Sequence, residues 1–414
     1  MPAETFSCDS LPSGTLSVEQ AQERILQAIA PITATETVAL RDALGRILAQ
    51  DLSAPLNVPA FTNSAMDGYA IRHTDLARQP LKVIGTAFAG KPFLRNINAG
   101  ECVRIMTGAV VPDGADCIAI QENVQREGDF IQIRGDIALQ EYLRFSGDDI
   151  KQGELLLAKN RRLNAADLGL LASQGIAQVP VLRRPKIAFC STGDELKSLG
   201  EDLGLGDIYD SNRYTLYALL KKLDVEILDW GVIKDTREAV EALFQQARHD
   251  ADLVITSGGV SVGEADYIAD TLERLGQVNF WKIAVKPGKP LAFGKVGNCH
   301  FFGLPGNPVS VMATFLLFVR PAILQLRGEA VTALPEYTAI CETPIKKEVG
   351  RKDYQRGICW LNEQQEWRVR TTGGQGSHIL RSMSQANCFI PIPLELGNLA
   401  AGSKVNIIPF ENLL

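Results

Sequence analysis

From Pro185 onward the sequence settles into a rhythm of strand, loop and helix that leaves few folds open to it. The runs Lys186–Thr192, Val225–Trp230 and Leu253–Thr256 read as strands, and Arg213–Leu223, Thr236–Arg248 and Tyr267–Leu275 carry helical spacing between them. Asp235 with Glu238 three residues later predicts the N-cap of the second helix. Further strands are expected near 278–285 and 299–303, followed by a long helix with Asn307 at N-cap and Pro308 at N1. Such alternation predicts a doubly wound α/β domain over 185–328. Ligands of such domains bind where strand C-terminal ends meet helix N-termini.

The flanking sequence has a different texture. Ser17 and Gln20 form a capping-box pattern ahead of Val18, Ala21, Ile25, Ala28 and Ile29, which predicts one amphipathic helix ending before Pro31. After Pro55 and Pro59 come short β-like runs, Leu81–Ile84, Val103–Thr107, Cys117–Ile120 and Phe130–Arg134, divided by turn residues. Residues 54–145 therefore read as an inserted β module. Asn164 and Asp167 cap a further helix to about Gln174, so 15–53 and 146–184 are expected to pack together as one discontinuous, partly helical domain. Strands return at 337–342, 354–361, 366–371, 388–392 and 404–408, giving a small C-terminal β domain over 329–414. The fold class is multidomain α/β plus β.

Several function classes drop out on composition. Lys plus Arg number 42 against 48 Asp plus Glu, a net charge of −6, so no broad nucleic-acid or anionic-membrane surface is expected and any anion site must be local. The largely apolar run Met312–Val319 falls short of the roughly 18 to 20 residues a membrane-spanning helix needs, and no membrane segment is expected. Met1–Gly14 lacks a basic stretch followed by an apolar one, which makes the cytoplasm the default location. The 8 cysteines include no C-x-x-C pair and only 4 histidines accompany them, so reduced core thiols are expected rather than disulfides or structural zinc.

Chemistry concentrates in four strand-end loops: Thr192-Gly-Asp-Glu195, Ser257 to Asp266, Lys286-Pro-Gly-Lys-Pro290 and Gly303-Leu-Pro-Gly-Asn-Pro308. Glycines such as Gly258 and Gly259 let backbone N–H groups approach an anion, and Thr192, Ser257 and Ser261 add hydroxyl donors. A single Gly-Gly pair would signify no more than a tight turn; repetition across facing loops favours a phosphate cradle. Neither G-x-x-x-x-G-K-[ST] nor a strand-following G-x-G-x-x-G occurs, which disfavours a P-loop ATPase or a dinucleotide dehydrogenase. Lys282, Lys286 and Lys289 supply cations on or beside a proline-restricted loop. Asp194, Glu195, Asp235 and Asp266 are hard oxygen donors of the kind Mg²⁺ accepts alongside phosphate and water, although Asp235 and Asp266 could equally be helix caps. These residues read together as a site for a phosphorylated anion with Mg²⁺.

Those loops, with Thr62-Asn-Ser-Ala-Met-Asp-Gly-Tyr-Ala70, Met106-Thr-Gly-Ala109 and Gln375-Gly-Ser-His378, fall in an order that resembles the molybdopterin molybdenumtransferases, the bacterial MoeA family related to the E domain of gephyrin. The resemblance covers about residues 16 to 410. It implies an elongated homodimer of four-domain subunits whose α/β domain is MogA-like, as in molybdopterin adenylyltransferases. It also implies Mg²⁺-dependent cleavage of adenylylated molybdopterin coupled to molybdate transfer onto the dithiolene, releasing AMP and Mo-molybdopterin, and possible contact with a molybdopterin adenylyltransferase.

Carried over by motif, Glu195, Lys282 and Lys286 would act catalytically, joined by Asp67 and Asp149 of the facing subunit. Asp194, Glu195, Asp235 and Asp266 would hold the metal. Thr107, Ser257, Gly258, Gly259, Ser261, Lys289, Pro305 and Pro308 would bind substrate, and Arg351 and Ser377 would hold molybdate. The sequence departs from the family pattern at Arg144-Phe145-Ser146, where an arginine-rich run is expected, at Tyr142 and at Val349. Two alternatives were weighed: a lone adenylyltransferase would need neither the inserted module nor the C-terminal domain, and a gephyrin-type scaffold would favour a disordered linker or tail.

Overall fold

Side chains along strand Lys186–Thr192 alternate between two faces, and both faces are covered. Ile187 and Phe189 join one apolar core, while Ala188 and Cys190 join another. The first core takes helices Ser211–Lys221 and Pro308–Leu326; the second takes Arg237–Asp250 through Val240, Leu243, Phe244 and Ala247. This is the doubly wound arrangement the rhythm predicts. The computed structural model describes residues 14–258, 271 and 277–413. The chain divides into two units, 1–36 with 182–414 and 37–181. The expected helix Tyr267–Leu275 lies outside the described residues, apart from Thr271.

In the first unit a seven-stranded sheet runs in the order Thr15–Leu16, Gln277–Ile283, Pro290–Val296, Cys299–Leu304, Leu253–Ser257, Lys186–Thr192, Glu226–Ile233. Its neighbours from Cys299–Leu304 onward are parallel, whereas Gln277–Ile283, Pro290–Val296 and Cys299–Leu304 form an antiparallel edge. Strand Pro290–Val296 lies between the two expected strands and is not among the elements read from the sequence. The turn that creates it is nonetheless written in Gly297-Asn298: Val296 pairs with Cys299 and Gly297 takes φ +62°, a two-residue hairpin loop.

The first helix, Val18–Ala28, has both bonds of its capping box, Gln20 N–H to Ser17 Oγ at 3.1 Å and Ser17 N–H to Gln20 Oε1 at 2.9 Å. Its apolar face, Val18, Ala21 and Ile25, is buried in the core of the α/β layer. It therefore belongs to the first unit, whereas it was expected in the discontinuous domain of 15–53 and 146–184. The partner that decides this is the helix Pro308–Leu326. Pro321 has no N–H to give to the carbonyl of Leu317, four residues back, and a π turn occupies Phe315–Val319. That carbonyl accepts instead from Gln22 Nε2 at 2.8 Å. By length and composition this 19-residue helix could cross a membrane, unlike the shorter run taken from sequence, but 72% of its apolar window is buried inside the protein, as in a core helix.

The C-terminal part of this unit is a six-stranded sheet ordered Val285–Lys286, Lys352–Leu361, Trp367–Thr371, Tyr337–Cys341, Lys404–Pro409, Cys388–Ile392. Lys352–Leu361 also pairs with Cys388–Ile392, which closes the sheet into a barrel around Cys341, Val369, Ile390 and Ile407. A short helix, Leu380–Gln385, interrupts the strands; its six residues are too few to show a period.

The second unit carries another six-stranded sheet, ordered Cys117–Ile120, Gly68–Ile71, Glu101–Ile105, Leu81–Ala87, Phe130–Ile133, Val124–Glu127. The chain leaves for this sheet beyond Leu52–Ser53 and pairs with the same strand on return at Leu155–Leu157, the signature of an insertion. Helix Ala165–Ser173 follows, with its capping box Asn164–Asp167 formed in both directions. The seven described cysteines are all buried thiols.

Candidate active site

A cleft of about 1530 Å³ opens in the first unit between the strand ends of the α/β layer and the barrel. The strand ends contribute Thr192, Glu195, Asp235, Gly258, Pro305 and Asn307. Gly258 has φ +90°, and a Cβ there would stand 2.5 Å from the Thr192 carbonyl oxygen, so only glycine lets these loops approach. Asp235 is free for the cleft because it does not cap its helix. Thr236 does so instead, its Oγ1 accepting from Ala239 N–H at 3.3 Å.

The lysine loop forms the middle of the cleft. Lys286, Pro287, Gly288 and Lys289 all line it, with a cis Lys286–Pro287 bond. Gly288 sits at φ +104° against helix Pro308–Leu326, where a Cβ would meet Thr314 Cγ2 at 2.5 Å.

From the barrel come Lys346, Arg351, Gln355, Ser377 and His378. The Ser377 carbonyl accepts from Val309 N–H at 3.1 Å, docking this loop on the first turn of the long helix. Beneath it lies Arg356, fully buried, donating from Nε to Ser382 Oγ at 3.1 Å and from Nη2 to the carbonyls of Gly376 at 3.1 Å and Gly374 at 3.4 Å. Gln375 locks to the backbone of Arg356 in both directions, at 2.8 and 3.0 Å. Burial pushes the Arg356 guanidinium down to about 10, so it remains a cation near neutrality.

The cleft therefore gathers Glu195, Asp235, Gly258, Lys286, Lys289, Pro305, Arg351 and Ser377 from the residues singled out in the sequence. Others fall elsewhere. Ser257 is buried behind the loop, its Oγ 3.0 Å from Ser191 Oγ. Lys282 is an exposed strand residue, and Asp194 an exposed loop residue, neither lining the cleft. Pro308 occupies the first turn of its helix without joining the lining. Gly259, Ser261 and Asp266 lie outside the described residues.

Within the second unit, Asp67 Oδ1 accepts from both N–H and Oγ1 of Thr107, each at 2.7 Å. The Thr107 N–H, then its hydroxyl, hold this carboxyl below the usual carboxylate range. Asp149 is exposed in the same unit, its N–H bonded to the Val58 carbonyl at 3.0 Å.

Sequence reasoning missed Asn307, Lys346, Gln355, Arg356 and His378 as parts of the site. Asn307 was noted only as a cap, yet its side chain makes no capping bond. The signal for Arg356 was available: a charge at a core position of a β-strand needs a partner.

Chemically, the cleft has carboxylates on its strand-end wall and Lys286, Lys289, Lys346 and Arg351 across the loop and barrel. Among the described residues no group of three His, Cys, Asp or Glu side chains is placed to hold an ion by protein donors alone. Glu195 and Asp235 are still a donor set that suits Mg²⁺, which commonly takes one or two carboxylates and completes its shell with water and substrate phosphate.

Comparison with known proteins places these features. Residues 16–175 match the model of the MoeA N-terminal region (domain I and II), 188–325 that of a probable molybdopterin binding domain, and 338–410 that of the MoeA C-terminal region (domain IV). A molybdopterin molybdenumtransferase of Haemophilus influenzae is 46% identical over 407 residues, covering 96% of this chain and 100% of that protein. A Nostoc molybdopterin molybdenumtransferase is 36% identical over 90% of this chain and 88% of its own. Gephyrin of Dictyostelium discoideum is 32% identical over 90% of this chain and 59% of its own. The solved structure of a molybdopterin biosynthesis MoeA protein from Pyrococcus horikoshii superposes with a TM-score of 0.82 at 32% identity, covering 96% of this chain and 99% of that one.

Proposed function

Since the chain belongs to the molybdopterin molybdenumtransferase family, transferases of molybdenum-cofactor biosynthesis, we propose that its cleft cleaves adenylylated molybdopterin and passes molybdate to the dithiolene, releasing AMP. The observation that carries this reading is the division of charge in one cleft, carboxylates on the strand ends facing cations and hydroxyl donors on the barrel side. Glu195 and Asp235 would hold Mg²⁺. When bound, Mg²⁺ neutralises phosphate oxygens as the phosphoanhydride breaks.

The chain's own groups do the remaining work. Lys286 and Lys289 meet the pyrophosphate charge and stabilise it as it shifts to the leaving AMP. Arg351 and Ser377 offer directed donors to molybdate, a tetrahedral dianion. The Gly258 and Pro305 loops let the ligand approach the backbone closely. Asp67 and Thr107, with Asp149, complete the site from the second copy of a homodimer. Their fixed pairing supports a role in orienting substrate. We place the reaction in the cytoplasm, consistent with the buried thiols, and infer that a molybdopterin adenylyltransferase delivers the substrate.

The test is incubation of the purified protein with adenylylated molybdopterin, Mg²⁺ and molybdate, following AMP and Mo-molybdopterin together. Formation of both, lost on chelation of Mg²⁺, is the expected result. A folded sample yielding neither product would overturn the reading.

A further inference from the structure

The lysine loop belongs to two sheets at once. The strands on either side of it, Gln277–Ile283 and Pro290–Val296, form the antiparallel edge of the α/β sheet. Between them Val285–Lys286 pairs in parallel with the barrel, Val285 opposite Lys352 and Lys286 opposite Asp353. That register brings Lys286 Nζ to 3.7 Å from Asp353 Oδ2. The Asp353 side chain is only 3% exposed, and the same oxygen accepts from Gln355 Nε2 at 3.1 Å. Gln355 is anchored in turn by donating to the Lys346 carbonyl at 2.8 Å.

The other charges felt at Asp353 are committed elsewhere. Lys347 Nζ is bonded to the carbonyls of Glu348, Leu394 and Leu396, and Arg356 holds the Gly374–Gly376 loop. Of the cations around Asp353, Lys286 is the one that reaches the cleft lining along with Lys289, Lys346 and Arg351. A buried carboxylate under a cleft for anions weakens anion binding by simple Coulomb repulsion. Its compensating effect is geometric: a lysine ammonium on four flexible bonds has large rotamer freedom, and a fixed carboxylate in register removes much of it.

We propose that Asp353 is the positioning residue for Lys286, aiming its ammonium at the bound anion even though its own charge lowers ground-state anion affinity. The proposal rests on the reading of the cleft in which Lys286 meets the pyrophosphate while Arg351 and Ser377 hold molybdate, so molybdate affinity reports the barrel side of the cleft apart from Lys286. Its signature is a split that general damage to the barrel would not produce. Asp353→Asn should lower kcat by about tenfold or more, while the dissociation constant for inorganic molybdate, measured by calorimetry, stays level or falls severalfold. In a Lys286→Ala background the same change should cost no further kcat, because the group it acts through is gone.

Asp353→Glu, which keeps the charge but moves it by one methylene, provides a second variant should Asn prevent folding. It should lower kcat with molybdate affinity within about twofold of wild type. A wild-type kcat in the variant measured, full additivity with Lys286→Ala, or molybdate affinity falling in step with thermal stability would each overturn the proposal. Absence of molybdate binding by the wild type would overturn the reading of the cleft and this proposal together.

Discussion

Arg356→Lys tests whether a buried cation holds the loop of Gly374–Ser377 in place. In the wild type the guanidinium makes three contacts, at 3.1 Å to Ser382 Oγ, 3.1 Å to the Gly376 carbonyl and 3.4 Å to the Gly374 carbonyl. A hydrogen bond from a charged donor contributes about 1.5–3 kcal/mol. Lysine retains the charge but not the planar fork, and one ammonium cannot reproduce donors from both Nε and Nη2 to the hydroxyl and the two carbonyls. Water reaching the freed carbonyls returns part of the loss, leaving roughly 2–3 kcal/mol against the held position. At 1.4 kcal/mol per tenfold, that is a factor of about 30 to 140 in the loop equilibrium. Because apparent affinity scales with the fraction of binding-competent protein, for a loop favoured about tenfold in the wild type molybdate should bind on the order of tenfold more weakly. Calorimetric titration gives the affinity, and hydrogen exchange at residues 373–378 reports the loop. Unchanged molybdate binding with unchanged exchange would refute the reasoning.

Three further outcomes follow from the same geometry. Thr107→Val removes the hydroxyl but leaves the N–H that holds Asp67, so the carboxyl titration followed by NMR should move part of the way up toward the usual range. The sign is that of a depressed acid: the stabilising contact is present above the unfolded value and lost as pH falls through the folded one; an unmoved titration would remove Thr107 as its cause. Arg351→Ala and Ser377→Ala should each raise the molybdate needed for half-maximal activity roughly tenfold with little change in affinity for adenylylated molybdopterin, and an unchanged requirement would place the oxyanion on the Lys286 loop instead. Mixed dimers of Asp67→Ala and Lys286→Ala should regain activity lost in each parent, since both lesions can fall in one shared site; no recovery after verified subunit exchange would argue against sharing.

The architecture was legible wherever a long period could declare itself. Lys186–Thr192 and the helix opening at Pro308 stand where alternation and capping put them. Short elements escaped for a physical reason: Leu380–Gln385 has fewer than two turns, and Pro290–Val296 begins with a residue that discourages a strand assignment. At the site, residue type located the loops but not the direction of each side chain. Two adjacent residues, Asp235 and Thr236, could both cap, and only the extended backbone at Thr236 with its bond to Ala239 N–H leaves Asp235 to line the cleft. Ser257 reads as a donor in sequence, yet the last residue of a fully covered strand turns its hydroxyl into the protein. Asp353 and Gln355 were invisible because a charged or polar residue in a strand ordinarily signals a solvated face, whereas the closed barrel buries both; Arg356, a charge at a core position of the same strand, was legible in principle.

The bond from Gln22 to the Leu317 carbonyl also bears on the order of synthesis. The helix segment that supplies Gln22 leaves the ribosome long before the apolar rod of Pro308–Leu326, and both fold within one unit. The segment that covers the rod is therefore already synthesised when the rod emerges, and the rod's hydrophobic surface has a partner in the same unit without waiting for later residues. A circular permutant that moves residues 15–31 behind residue 413 would reverse this order of synthesis.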